Sequence, residues 1–502
     1  MELPIKPRAY QQAILETCKK KSCLVILPTG TGKTLIAVLL AIERFKQYPL
    51  EKILLLSPTK PLIEQHFKTF QNLLPDGRAD MQLFTGKTPA EKRKKIWQTA
   101  EFIFSTPQCI ANDIKKNLYT LEDVSLLVED EAHRCLKNYA YNFIAQKYKQ
   151  QANHPHILGL TASPGADKQT IQNVCNNLGI KEVEIRTRES EDVKPYIQEL
   201  EFEKIAVNLP SEFEEIRQLL INIYEKKVDE LKNRQILFGQ ANKKTLLDCQ
   251  KRIFKALNTN KSMNLYAAAS VCAQAIKLQH ALELLETQTL ESFLTYMRSL
   301  FKQAEQQASK ASQKIASNKQ FNKAYTLALS LEKEHPKLDK LVEIINQNKD
   351  KKILIFSQYR DTVNKIKSSL PKQVKPEIFV GQAKKTSGNK TTGLNQEQQK
   401  QLIEKFASGE INCLISTSIG EEGLDIPEVD LVIFYEPIPS AIRAIQRRGR
   451  TARLQKGALK ILVTKNTRDE SYYYASRAKE KKMHKAIKDI KAGLSNQEKL
   501  FK

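Results

Sequence analysis

One stretch governs what this chain can fold into: Leu24 to Thr34, LVILPTGTGKT, where an apolar run breaks into a glycine-rich turn closing on Lys-Thr. Such a turn needs a strand running into it and a helix leaving it, because only then do successive backbone N–H groups converge at a helix N-terminus and form an anion cradle. Pro28, Thr29, Gly30, Thr31 and Gly32 would wrap a polyphosphate, Lys33 would reach its β- and γ-phosphates, and Thr34 would offer a hydroxyl to Mg²⁺. The strict pattern has glycine where this chain has Leu27, so the match is to a relaxed form. A tight strand-to-helix connection without a ligand is the plain alternative. The β-branched run before the turn and LIAVLLAI after it favour the phosphate cradle.

The rest of residues 1–207 repeats the same rhythm. Short apolar runs at 23–27, 53–56, 102–104, 124–128 and 157–160, often bounded by Ser, Thr, Pro or Gly, alternate with helical patterns. Runs this short predict strands buried on both faces, hence a parallel sheet with helices on each side and a ligand edge at the carboxyl ends of its strands. At one of those ends stands LLVEDEAH, which places Asp130 to hold Mg²⁺ and Glu131 to orient and deprotonate an attacking water. Other strand ends carry Ser57-Pro58-Thr59-Lys60, Thr85-Gly86, Ser105-Thr106-Pro107-Gln108 and Thr161-Ala162-Ser163. Each is ordinary turn chemistry; together they make a row of hydroxyls and backbone donors suited to a sugar-phosphate chain.

From 208 to 333 the pattern changes to long helices, with no proline between Pro210 and Pro336. Lys243, Lys244, Lys251, Arg252 and Lys255 lie in a run where Asp248 is the one acid between Lys232 and His280, which predicts an electrostatic stripe for phosphates. A net charge of +25 points the same way, towards nucleic acid. His280, inside an apolar helical stretch, reads as a packed or capping histidine. From 334 to 485 the α/β rhythm returns, with strands predicted at 352–356, 378–380, 413–415, 431–434 and 459–463. Residues 384–395 read as a mobile loop, and 468–502 as a basic helix with a frayed end, of which 486–502 form a basic tail. The fold class is therefore α/β, two parallel-sheet domains flanking an all-helical insertion. The second sheet lacks a phosphate cradle but carries QRRGRTAR, where Arg450 and Arg453 could meet charge on a transferring phosphoryl group.

The eight cysteines are scattered without a C-x-x-C pair, so no zinc site or disulfide framework is predicted. No apolar run approaches a membrane span and MELPIKPRAY lacks a signal-peptide core, which predicts a cytoplasmic protein.

Taken in order, Arg8-Ala9-Tyr10-Gln11, the Gly-Lys-Thr loop, Ser57-Pro58-Thr59-Lys60, Thr106-Pro107, Asp130-Glu131-Ala132-His133, Thr161-Ala162-Ser163, STSIGEEGLD at 416–425 and QRRGRTAR resemble the motifs of superfamily 2 helicases with two RecA-like domains. PTKPL, EDEAHRCLKNYAY, LTASPG and NTRDESYYY resemble, within that superfamily, the archaeal Hef helicases and the related Fanconi anaemia M and fungal Mph1 proteins. The resemblance covers about residues 1 to 485 and implies an ATP- and Mg²⁺-dependent DNA motor acting on forked or branched DNA in replication-fork repair. It implies that Arg8 and Gln11 serve the adenine, that Gly423 and Asp425 face the nucleotide, that Gln446 faces the γ-phosphate or the water, and that Arg450 and Arg453 act as fingers. It also implies that Thr59, Lys60, Thr85, Gly86, Thr106, Gln358, Thr417 and Ser418 track one strand. A sliding clamp or a separate nuclease are further partners such a motor would have.

Two departures matter. Ala452 stands where many relatives have glycine, and the nuclease signature E-R-K-x-x-x-D of many Hef proteins is not met, so DNA cleavage is not predicted. An RNA-duplex-activated ATPase of the RIG-I-like group and an ATP-gated DNA clamp without strand displacement stay open beside the helicase reading.

Overall fold

The computed structural model describes residues 5–74, 79–165, 167–196, 200–259, 261–381, 385–387, 390–417, 426–438 and 457–500. The apolar runs become strands: β1 (Cys23–Ile26), β2 (Lys52–Leu56), β3 (Met81–Phe84), β4 (Phe102–Ser105), β5 (Val124–Asp130), β6 (Ile157–Thr161) and β7 (Glu182–Ile185). They pair in parallel in the order β3-β4-β2-β5-β6-β1-β7. β1, β2, β4, β5 and β6 are buried at every position, as a sheet sandwiched between helices requires. Apolar side chains on the two faces fill two separate cores, one around Leu24 and Leu127 and one around Val25 and Val128.

The second sheet is β8 (Leu200–Val207), β9 (Ile353–Phe356), β10 (Pro376–Phe379), β13 (Cys413–Ser416), β14 (Leu431–Phe434) and β15 (Gly457–Thr464), all parallel, in the order β10-β13-β9-β14-β15-β8. Between the sheets in sequence lies a helical bundle built on the long helices Ser211–Asn233 and Met263–Thr287, with one apolar core of its own.

Three sequence expectations change. β8 falls within residues 1–207, assigned to the first domain, yet it pairs along all of its length with β15 and belongs to the second sheet. The expected loop at 384–395 contains the antiparallel pair β11 (Lys385–Ser387) and β12 (Lys390–Thr392). The basic helix expected from Arg468 is present as Arg468–Leu500, and it is more than a tail, because it crosses from one sheet to the other. Tyr473 packs in a core of the second sheet, while Met483, Ala486, Ile487 and Ile490 enter a core of the first. Lysines dominate the sequence there, but the apolar residues recur every three or four positions, and each buried Ile or Met contributes about 1.5–3 kcal/mol to the docking. Among the described residues, no helix is long and apolar enough to cross a membrane.

Candidate nucleotide and nucleic-acid site

Parallel pairing lines up the carboxyl ends of neighbouring strands, so strand order dictates the order of chemistry along the edge of the first sheet. From one side it runs through Thr85 and Gly86 after β3, Thr106 after β4, Ser57 and Thr59 after β2, Asp130 and Glu131 at β5, Thr161 at β6, and the glycine turn after β1. Candidate nucleic-acid contacts thus occupy one half of the edge and the phosphate cradle the other. The acidic pair lies between them.

The cradle is built by two glycines in the left-handed region, Gly30 at φ 81° and Gly32 at φ 80°. Gly32 caps the helix Lys33–Gln47 without any side-chain cap bond, which leaves first-turn N–H groups for an anion. A Cβ at Gly32 would collide with the Gln11 amide. Gln11 donates to the Thr31 carbonyl at 3.1 Å, Tyr10 Oη donates to the same oxygen at 2.6 Å, and Gln11 Oε1 accepts from the Arg8 N–H at 2.9 Å. Arg8 also lies 5.1 Å from the centre of the Tyr196 ring. The helix Ala9–Lys20 therefore braces the loop, with the Arg8 and Gln11 predicted to serve the base beside it. Lys33 Nζ donates to the loop carbonyls of Leu27 at 3.1 Å and Pro28 at 3.2 Å, and Thr31 Oγ1 donates to Pro28 O at 2.7 Å. A phosphate would offer Lys33 stronger, charge-assisted acceptors than these carbonyls. Thr34 stands half-buried in the first turn of the helix.

Asp130 ends β5 nearly buried, at 7% exposure. Its Oδ2 meets His66 Nε2 at 2.9 Å and accepts from Ser57 Oγ at 3.3 Å, while its carbonyl accepts from Tyr141 Oη at 2.7 Å. Burial alone would push its carboxyl up, but the charge and hydrogen bond of His66, with Lys33 and the Glu131 N–H, hold it below its ordinary value. Glu131 sits at φ 52°, a left-handed backbone that a glutamate adopts at a cost of about 1–3 kcal/mol and that turns its side chain out of the strand direction. His133 Nδ1 hydrogen-bonds Thr161 Oγ1 at the end of β6 at 3.1 Å and lies 3.3 Å from Glu131 Oε2. Among the described residues no group of three His, Cys, Asp or Glu could hold a metal alone. Mg²⁺ takes one or two carboxylates and the phosphates of its nucleotide rather than a protein cage, and the Asp130 carboxylate and Thr34 hydroxyl are oxygen donors of the kind it accepts. Thr34 and Asp130 are the residues that would hold it.

The predicted track residues differ in setting. Thr59 and Thr106 occupy the N-cap positions of the helices Lys60–Leu73 and Pro107–Lys115. Lys60 leans on Glu64 at 3.3 Å, and Gly86 is exposed with open space about it. In the second sheet Gln358 is exposed after β9, its N–H donating to Glu436 Oε1 at 2.7 Å, and Thr417 is nearly buried after β13. Ser418, Gly423, Asp425, Gln446, Arg450 and Arg453 lie outside the described residues. On the bundle, Lys244, Lys251 and Lys255 are exposed along the helix Lys243–Thr259, whereas two of their neighbours also do structural work. Lys243 pairs with the buried Glu283 at 3.1 Å, and Arg252 donates to Ile236 O at 3.1 Å. His280 packs edge-on against Tyr296. Seven of the eight cysteines are buried and all are free.

The bundle is bolted to the second sheet by buried polar groups. Gln288 reaches Glu436 at 3.4 Å and accepts from Thr362 at 2.8 Å, Ser292 meets Thr362 at 2.9 Å, and Glu286 binds both Arg217 and Arg468.

A glycine turn and an acidic strand end in one parallel sheet, a second parallel sheet of matching winding and a helical bundle between them in sequence define the class of two-sheet helicase folds. The families DEAD/DEAH box helicase, putative ATP-dependent RNA helicase helical bundle, and helicase conserved C-terminal domain match residues 8–171, 212–335 and 336–455. The solved helicase domain of Pyrococcus furiosus Hef is 43% identical and superposes with a TM-score of 0.72, covering 94% of this chain and 98% of that one. A putative ATP-dependent RNA helicase of Methanocaldococcus jannaschii is 38% identical over 97% of this chain and 61% of its own length. The Fanconi anaemia group M protein homologue of Mus musculus is 33% identical over 96% of this chain and 26% of its own. The chain belongs to the family of Hef and Fanconi anaemia group M helicases. It spans less than two thirds of those two full-length relatives.

His66, Tyr141 and Tyr196 stand outside every motif read from sequence, and Tyr10 and Ser57 enter there only as members of motifs, without these partners. Each acts on a residue it contacts through the fold, and nothing in local spacing marks such contacts.

Proposed function

We propose that this chain couples ATP hydrolysis to movement along DNA and to the remodelling of forked or branched DNA during repair. The observation that carries the reading is the order along the first sheet: track residues, acid and phosphate cradle share one edge, so a change at the phosphates is felt next to the strand. Lys33 binds and orients the β- and γ-phosphates, Glu131 takes the proton of the attacking water, and bound Mg²⁺ supplies charge neutralisation at the phosphates. Arg450 and Arg453 would add charge from the second domain, which makes turnover depend on closure. Similarity to the ATP-dependent DNA helicase mph1 of Neurospora crassa, 32% identical over 93% of this chain and 41% of its own length, supports DNA as the track.

The test is ATPase stimulation by a DNA fork, linear DNA and double-stranded RNA, with Glu131→Gln and Arg450→Ala as controls. Fork DNA should stimulate most, and both variants should bind nucleotide yet fail to turn over. Stimulation by RNA alone would favour the second reading, an RNA-activated ATPase, which is supported by similarity to the putative RNA helicase of Methanocaldococcus jannaschii and to the RNA-helicase helical-bundle family.

A further inference from the structure

Asp130 is held by residues that belong to the other half of the edge. Ser57 directly follows β2 and His66 lies on the helix Lys60–Leu73, and both direct a polar atom at one carboxylate oxygen, Oδ2. Between them in sequence stand Thr59 and Lys60. The segment 57–66 is thus one rigid piece, a strand end and the first two turns of a helix, with candidate strand contacts at its tip and two bonds to the metal-holding acid at its base. A carboxylate only accepts, so His66 Nε2 carries the proton of this bond. His66 Nδ1 is buried without a hydrogen-bond partner. The ring therefore gives up one hydrogen bond to satisfy Asp130, an arrangement that packing alone would not select.

We infer that His66 is a positioning residue that couples strand contact to the nucleotide: it fixes the orientation of the Asp130 carboxylate, and it transmits displacement of Thr59 and Lys60 to that carboxylate. This rests on the reading of Thr59 and Lys60 as nucleic-acid contacts. A nucleic-acid strand pressing on the N-terminus of the helix moves His66 with it, because a helix turn does not deform independently of its neighbour. Asp130 follows through its bond to Nε2. By linkage, the nucleotide must then change affinity for the strand by the same factor.

Two variants separate this from simple packing. His66→Ala removes the bond, and His66→Gln places an amide N–H where Nε2 stood. The first measurement uses no nucleic acid: binding of a fluorescent ATP analogue is titrated with Mn²⁺. His66→Ala should need about tenfold more Mn²⁺ or above for half-saturation, and His66→Gln should return towards the parent. The second measurement is the ratio of analogue affinity with and without fork DNA; the parent ratio should collapse towards one in His66→Ala and recover in His66→Gln, with kcat for stimulated hydrolysis falling more than KM for ATP changes. Parental Mn²⁺ requirement and parental coupling in His66→Ala would overturn the inference, as would equal loss in both variants. If no nucleic acid affects the parent protein, the proposed function fails and the coupling half of the inference with it, while the Mn²⁺ titration still decides whether His66 positions Asp130. Should His66→Ala not fold, Ser57→Ala, which removes the other bond to Oδ2, takes its place with a smaller shift in the same direction.

Discussion

In the first sheet the strand beside β6 is β1, and it passes into a helix through Pro28 to Gly32; in the second the strand beside β15 is β8, and it passes into a helix through Asn208, Leu209 and Pro210. The two places correspond in winding and differ in the turn. Glycines at positive φ let the first turn curl its N–H groups around an anion. Proline at the second sets a fixed entry into the helix Ser211–Asn233, and the chain there leaves the sheet to build the bundle. We propose that one turn holds the phosphates of a nucleotide and that the other opens into a basic helical face that holds the phosphates of a nucleic acid. The scaffold is shared, and the chemistry is decided by a few turn residues.

The largest effect should come from the cradle. Lys33→Ala is expected to cut nucleic-acid-stimulated ATP turnover by about 10²–10³-fold, whereas Asn208→Ala, at the corresponding turn, should change it by less than about twofold. Equal losses in a steady-state ATPase assay would break the comparison. Next is the second sheet's own anchor. Lys337 Nζ and Asp469 Oδ2 are 2.6 Å apart, both fully buried, and Lys337 also donates to Tyr435 O. Lys337→Met strands the carboxylate and should cost about 3–5 kcal/mol of unfolding free energy, read by urea denaturation. Nucleotide affinity, a property of the first sheet, should be unchanged where the variant remains folded.

A third prediction concerns pH. His156, at the start of the strand beside β1 and β5, donates from Nε2 to Cys18 O at 2.7 Å, and burial followed by the nearby Arg44 lowers its pKa from 6.5 to about 4. The fold prefers the neutral ring, so the unfolded chain takes the proton first. The stability it contributes is complete above about pH 6.5 and is lost as pH falls towards 4, amounting to about 3 kcal/mol in all. Melting of His156→Gln from pH 7 to 4 should show a correspondingly shallower decline than the parent. The smallest effect is at the bundle. Lys251→Ala should weaken DNA binding about two- to threefold and reduce the slope of log affinity against log salt by about 1, without altering sequence preference.

Much of the architecture is legible in the sequence, because a strand buried on both faces has little choice but to be a short apolar run between turn residues. β1, β2, β4, β5 and β6 announce themselves so, and the glycine turn and acidic strand end follow from them. β7, EVEI, and β8, LEFEKIAV, do not, since edge strands carry charges on their open sides. β8 also has its partner far away, so its sheet cannot be read from its own composition. The helix Arg468–Leu500 shows apolar spacing at Met483, Ile487 and Ile490 among lysines, a signal outweighed by charge. His66 joins Asp130 across 64 residues, and only the fold brings them together.

β8 has a further consequence, for the way the chain comes off the ribosome. Glu203 and Lys460 are register partners 257 residues apart. At about 5–20 residues per second, the first sheet can be complete while β8 waits on the order of tens of seconds for the strand it will pair with. Through that interval its ladder groups are satisfied by water or by a chaperone, and the charges of LEFEKIAV keep it from pairing with another copy. Translation order and sheet order are at odds in the second domain, so its sheet closes only after Gly457–Thr464 has been made.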